Sequence, residues 1–363
     1  MKSSFNTYNS KLTKSVILGL SLSCLAFSCS DDDDDNATET QLDAQLTTVL
    51  GDYSQMVAVA TYSDMATKAK SLETAVNTFN SAPNQESFNA VGDAWIAVRE
   101  PWEASEAFLF GPAEFGGLDP ALDSWPVDQN QLDNVLNSSF ELTAEFVAEG
   151  LGNALKGYHT IEFLVFRDGQ VRTFTDLTER EKEYLVAVTD VFEDDASTLH
   201  AGWETDGFAS EFASAGKEGS RYQTQLDAVN EIFEGMIGIC DEVANGKIAD
   251  PYDEQDTQLV ESQFSFNSLK DFENNIKSVQ NAYLGGYHNG LDGTGLDTYV
   301  SSKNATMDTN LKNQIEDAIA KIKAIPVPFR DNLDKNTEIE AAQTSIREIQ
   351  RILEEEVKPL VNN

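Results

Sequence analysis

Cysteine and histidine are scarce in this chain, three of each among 363 residues, and each shortage excludes a class of chemistry. Cys24 and Cys29 fall in or beside the amino-terminal apolar stretch, which leaves Cys240 without an intramolecular disulfide partner. Cys240 shares a helical face with Phe233, Met236, Ile237 and Val243, so it reads as core rather than as a nucleophile. With so few histidines there is no HExxH, and Phe163 stands where an inverted HxxEH needs its second histidine. A Gly-x-Ser-x-Gly elbow, a phosphate loop and a dinucleotide fingerprint are also missing. Basic residues are few, 25 Lys and Arg against 62 Asp and Glu, for a net charge of −37. That surface repels nucleic acid and anionic lipid; it suits cations, or serves solubility alone. β-branched alternation is almost absent, which argues against sheet.

Period 3.6 fills the space that strands leave. Leu42, Leu46, Val49, Tyr53 and Met56 trace one stripe, and Val91, Trp95, Val98, Trp102 and Leu109 a second. Later stripes run Leu226–Val229–Phe233–Ile237–Cys240, Phe272–Ile276–Val279–Tyr283 and Leu311–Ile315–Ile319–Ile322, and the last is Ile339–Ala342–Ile346–Ile349–Leu353. Breakers fall between them: Pro83, Gly111-Pro112, Gly216 to Gly219, Pro251, Gly285-Gly286 and Pro326. The chain reads as all-α, built of bundles. Phe88-Asn89 with Asp93 and Phe266-Asn267 with Asp271 give a faint internal echo, which composition alone can also produce. The Gly- and Ser-rich stretch from Ala209 to Ser220 is the natural boundary.

The amino terminus reads as an export signal. Lys2, Lys11 and Lys14 precede an apolar run, Ser15 to Phe27, that is short for a bilayer span. Leu25-Ala26-Phe27-Ser28-Cys29 resembles a lipoprotein cleavage box with Cys29 lipidated, Cys24 being the competing site. Asp31 to Asp35 then form a self-repelling tether. Cys-Ser followed by aspartates also resembles the surface-export signal of Bacteroidetes lipoproteins; the alternative is a plain periplasm-facing spacer. Residues 1–28 hold three lysines and no acid, so their removal takes the charge from −37 to −40 (−37 − 3).

Gly157-Tyr158-His159-Thr160-Ile161-Glu162 is the most informative segment. On a helix it sets an imidazole and a carboxylate at i and i+3, on one face and within reach of one ligand. Phe163 to Phe166 follow, so Glu162 borders a dry interior and must be paired, metal-bound or protonated. Gly157 suggests that another backbone or a ligand comes close. A zinc site of protease type needs a third protein group, and Glu106 is the candidate: Arg99, Glu103 and Glu106 stand at i, i+4 and i+7 beside the tryptophan stripe, with a kink at Pro101. Arg99 is then a counter-charge or an anion clamp; the alternative is an exposed Arg99–Glu103 pair. Trp102 is core or ligand-facing. Ser265, Asn267, Ser268 and Asp271 either cap a helix or complete a cleft. The acidic loop Asp250 to Asp256 lacks EF-hand spacing, and His288 reads as a loop residue.

Three blocks in order, Trp95 to Asp123-Ser-Trp125-Pro126, Gly157 to Glu162, and Glu261 to Gly285, resemble the imelysin-like family of bacterial envelope proteins. The likeness covers most of the chain after the signal, and Gly157, His159 and Glu162 match the family's Gly-x-His-x-x-Glu signature. The resemblance implies two related helical-bundle domains packed side by side. We therefore expect a lipoprotein signal at 1–28, an acidic tether at 29–40, a first helical domain at 41–208 and a second at 209–363. It also implies a role in iron uptake or metallopeptidase activity. The expected ligand-binding residues are Arg99, Trp102, Glu106, Gly157, His159, Glu162, Ser268 and Asp271, with His159, Glu162 and Glu106 as metal ligands. The first reading is a lipid-anchored binder of iron, haem or an iron-bearing ligand on the outer membrane, partnered with iron-uptake components. The second is a zinc metallopeptidase with Glu106 or Glu162 in catalysis, and the third a structural lipoprotein with a buried His159–Glu162 pair.

Overall fold

Helix starts are written into this sequence as polar caps. The Asp43 carboxylate accepts from the N–H groups of Gln45 and Leu46, and Asn84/Ser87, Thr178/Glu181 and Thr224/Asp227 form reciprocal capping boxes. In the computed structural model, which describes residues 42–204, 207–287 and 293–363, these caps open helices as the periodicity requires. Nine helices of nine or more residues occur among the described residues. They are α1 (Ala44–Asp52), α2 (Ala60–Ser81), α3 (Gln85–Glu103), α4 (Gly157–Val165), α5 (Glu179–Trp203), α6 (Gln225–Glu242), α7 (Ser268–Leu284), α8 (Leu296–Ala324) and α9 (Asn336–Ile352). A π-helical turn, Tyr53–Val59, joins α1 to α2. Two others, Val243–Lys247 and Leu353–Val357, follow α6 and α9.

Helix α2 packs on α3 and α5, and α8 packs on α7 and α9. Contacts of α3 with α7 connect the two sets of helices, and α6 packs on α7 and α9. The apolar stripes turn inward: Val91, Trp95, Val98 and Trp102 are buried, as are Ile339, Ala342, Ile346, Ile349 and Leu353. Cys240 is buried in the same continuous core. The residues from position 42 onward belong to one compact unit. Phe208 and Phe212, beside the expected boundary, pack on Phe110 and Trp203. Gly285 closes α7 in the left-handed region at φ 78°, where its amide caps the carbonyl of Asn281.

Two features depart from the expectation. Helix α3 continues past Pro101 but stops at Glu103, and Glu106 begins a separate 3-10 turn, Glu106–Phe108. Arg99 and Glu106 therefore do not share one helical face. The second is a small hairpin, Phe166–Arg167 with Gln170–Val171, which holds the only strands among the described residues. Its tip is Asp168-Gly169, both with positive φ, as a two-residue hairpin turn demands. No helix of the described residues is long and apolar enough to cross a membrane. The signal, Cys29, Asp31 to Asp35 and His288 lie outside the described residues.

Candidate metal centre

Gly157 has φ 70°, and a Cβ at this position would lie 2.0 Å from the carbonyl oxygen of Leu122. The close neighbour is a backbone, the one that carries Asp123 one residue later. Glycine thus brings the start of α4 against the segment that supplies the first ligand candidate. Two residues on, His159 is fully buried, with Nε2 3.0 Å from Asp123 Oδ1 and 3.7 Å from Glu261 Oε1. Its Nδ1 lies 3.2 Å from Glu162 Oε2, the i, i+3 contact the helix periodicity implies. The indole of Trp125 covers the imidazole at 4.9 Å between ring centroids.

Glu162 was expected as a ligand, and both of its oxygens are already engaged. Oε2 meets His159, while Oε1 accepts from the backbone N–H of Phe264 at 3.0 Å and of Ser265 at 2.8 Å, and from the Ser265 hydroxyl at 2.8 Å. Its place is behind the imidazole. A carboxylate on Nδ1 fixes the ring and directs Nε2 forward.

Arg99 is fully buried on α3, so the exposed-pair alternative fails. Its guanidinium contacts Asp123 at 2.5 Å, Glu261 at 2.7 Å and Glu103 one turn on, with Asp271 at 3.6 Å. It also lies over the Tyr158 ring at 4.9 Å. With its charge shared among four carboxylates it acts as a counter-charge. Trp102 is core and polar at once: buried, it donates through Nε1 to Asp123 Oδ2 at 2.6 Å. Asp271 is held by Asn267 Nδ2 at 2.7 Å. Ser268 bonds the carbonyl of Glu261 and so supports that residue's turn without reaching the centre.

Glu106, the expected third ligand, stands in a neighbouring acid cluster. It accepts from Lys247 Nζ at 2.9 and 3.1 Å and from Asn275 Nδ2 at 3.1 Å; the same amide bonds Glu103. Lys247 also reaches Glu261 at 3.2 Å and Glu103 at 3.7 Å. The ligand atoms that converge on His159 belong to Asp123 and Glu261, all within 4.8 Å of one another; Glu103, Glu106 and Asp123 form a second such triad. A cavity of about 470 Å³ opens on this centre, lined by Glu106, Asp119, Asp123, Trp125, Lys247 and Glu261 among others.

Charge is unbalanced here. Six carboxylates (Glu103, Glu106, Asp123, Glu162, Glu261, Asp271) face three cationic groups, Arg99, Lys247 and His159. Burial disfavours the imidazolium, but Asp123, Glu162 and Glu261 overcome it and raise His159 well above its ordinary pKa. Burial would likewise raise Asp123; Arg99 and His159 instead hold it well below the usual carboxylate range. Against the same burial, Lys247, His159 and Arg99 lower Glu261 to about 2. Farther from the imidazole burial wins: it pushes Glu103 up to about 8 and Asp271 to about 6, and burial with the Glu103 charge drives Glu106 well above its normal value. Protons thus compensate part of the excess negative charge.

Asp123, Glu261, Lys247 and Trp125 were not singled out as site residues from the sequence. Asp123 and Glu261 lie in segments that carry the family likeness, which was the one available signal. The imelysin family profile, which also bears the label peptidase M75, matches residues 58–355. The chain belongs to the imelysin family. Among its relatives, the iron-regulated protein A of Synechococcus elongatus is 31% identical over 316 residues, 85% of each chain. A solved structure described as an iron-regulated protein A precursor from Parabacteroides distasonis superposes with a TM-score of 0.82 at 31% identity, covering 90% of this imelysin and 97% of that chain. An imelysin-like protein from Psychrobacter arcticum, at 14% identity, shares the fold with a TM-score of 0.71 over 88% of this chain and 96% of its own.

Proposed function

We propose that this imelysin binds a metal cation, iron by preference, at Asp123, His159 and Glu261. The observation that carries the reading is the convergence of two buried carboxylates on His159 Nε2, while Glu162 engages Nδ1. A His and two carboxylates suit a divalent first-row cation, and the excess of carboxylates favours extra positive charge. In the metal-free chain that position is served by the proton on His159, so loading replaces a proton with a cation. The name of the Synechococcus elongatus relative, iron-regulated protein A, supports iron. The cavity lining favours an iron ion or a weakly chelated one over haem, because Asp123, Glu242, Asp250 and Glu261 would repel propionates. Asp123 and His159 come from the 41–208 half and Glu261 from the 209–363 half, which supports a site between two helical domains.

Lipidation at Cys29 would hold the protein on the outer membrane, with Asp31 to Asp35 as the surface-export tether, near iron-uptake components. A second reading, zinc peptidase, has one observation in its favour: Glu106, whose pKa is raised by burial and by the Glu103 charge, lines the cavity beside the triad in the place of a proton donor. Equilibrium dialysis of chelator-treated protein against Fe²⁺ under anaerobic conditions tests the first reading. One ion per chain is expected for the wild type and none for His159→Ala. Chelator-sensitive cleavage of unfolded substrates that is abolished in His159→Ala would favour the peptidase instead.

A further inference from the structure

The second acid triad, Glu103, Glu106 and Asp123, shares Asp123 with the first. Two triads that share one carboxylate have the layout of a centre for two cations, with Asp123 as the bridge. The ammonium of Lys247 sits against two of the three carboxylates of that second triad, Glu103 and Glu106. Its Nζ lies 2.9 Å from Glu106 and 3.7 Å from Glu103, and 3.2 Å from Glu261 of the first triad.

A buried polar atom points the same way. Asn275 is fully buried, its Nδ2 donates to both Glu103 and Glu106, and its Oδ1 has no hydrogen-bond partner. Rotation of that amide would bring an oxygen, a fourth cation ligand, to the two carboxylates in place of the N–H. The group surrounding Lys247 is thus the donor set of a hard divalent ion, with a lysine where the ion would be.

The backbone explains how the lysine gets there. Lys247 ends the π-helical turn Val243–Lys247 that follows α6. Such a turn carries one extra residue per hydrogen-bonded ring and re-aims the side chains after it. The Lys247 side chain is almost fully covered, at 10% exposure, and faces Glu103, Glu106, Glu242 and Glu261.

We infer that Lys247 is the resident cation of the second triad and limits this protein to one metal ion where its carboxylates could hold two. The inference rests on the reading of Asp123, His159 and Glu261 as the metal position. Lys247→Met keeps the length and apolar stem of the side chain and removes the charge, leaving Glu106 without its cationic partner and Glu103 with Arg99 alone. A calorimetric titration of chelator-treated protein with Co²⁺ should then give two ions per chain in Lys247→Met against one in the wild type. The thermal midpoint of Lys247→Met should also fall without metal and rise more steeply with Co²⁺ than that of the wild type.

One ion in both proteins, with equal Co²⁺ stabilisation, overturns the role of Lys247 and leaves the metal centre standing. No ion in the wild type overturns the centre; in that event one ion in Lys247→Met still supports the inference and none refutes it. If Lys247→Met does not fold, Lys247→Gln, which retains donor N–H groups without the charge, is titrated in its place and judged by the same counts.

Discussion

Asp123→Asn removes one charge at the point where three donors meet, without changing the shape of the side chain. Asp123 accepts from Arg99 Nη1 at 2.5 Å and Trp102 Nε1 at 2.6 Å and lies 3.0 Å from His159 Nε2. Asparagine keeps one acceptor oxygen and turns an NH₂ toward at least one of those donors. Removing one partner of a buried ion pair costs about 3–5 kcal/mol, and an orphaned buried donor about 1–3 kcal/mol. Arg99 retains Glu103 and Glu261, so the lower part of the range applies, roughly 3–4 kcal/mol. At about 2 °C per kcal/mol for a chain of this size, the midpoint should fall by on the order of 6–8 °C. Thermal melts of metal-free protein followed by circular dichroism measure it, with Asp253→Asn as a control that stays near the wild type; Asp253 is exposed on the short helix Ala249–Glu254, where a loop was expected. Equal midpoints for Asp123→Asn and the control would refute the account of Asp123 as the charged hub.

Gly157→Ala should destabilise by about 3 kcal/mol or more, because it adds a strained φ and a clash with the Leu122 carbonyl; urea unfolding reads the loss. Metal-free protein should lose stability as pH rises from about 4.5 to about 8. Glu103, raised to about 8, and Asp271, raised to about 6, bind more protons folded than unfolded in that window, and His159 adds to the loss above its ordinary value. Asp123 and Glu261, both lowered, act oppositely, with stability lost as pH falls below about 4 toward 2. Denaturant titrations at stepped pH should therefore peak near pH 4–5, and a flat profile from 5 to 8 would count against the buried carboxylates as described. Cys29→Ala should move the protein from the membrane to the soluble fraction on fractionation, and retention on membranes would remove the anchor from the account.

The helical core and the His159–Glu162 pair were legible in the sequence, while two of the three residues of the centre were not. The His159–Glu162 contact follows from i, i+3 geometry alone, and the close backbone at Gly157 from the choice of glycine. Nothing local could reveal Asp123, 36 residues before His159, or Glu261, 102 residues after it, because both lie in non-helical segments placed by tertiary packing. The burial of Arg99 was ambiguous for a related reason. An Arg–Glu pair at i, i+4 looks the same on an exposed face as under a second layer of helices, and α7 supplies that layer here. The shared helical face of Arg99 and Glu106 was misread because a helical count was carried past the end of α3 at Glu103. Asp168-Gly169, just after the apolar run Phe163 to Phe166, was a readable turn signal, and helix periodicity masked it.

Anomalous diffraction from crystals grown with Fe²⁺ or Co²⁺ tests the central claim most directly. The account expects one strong peak per chain, about 2.0–2.2 Å from a carboxylate oxygen of Asp123, from Nε2 of His159 and from a carboxylate oxygen of Glu261, with Glu162 still on Nδ1. A peak coordinated by Glu162 itself, or a metal held only by surface carboxylates while Nε2 of His159 remains on Asp123, would contradict it.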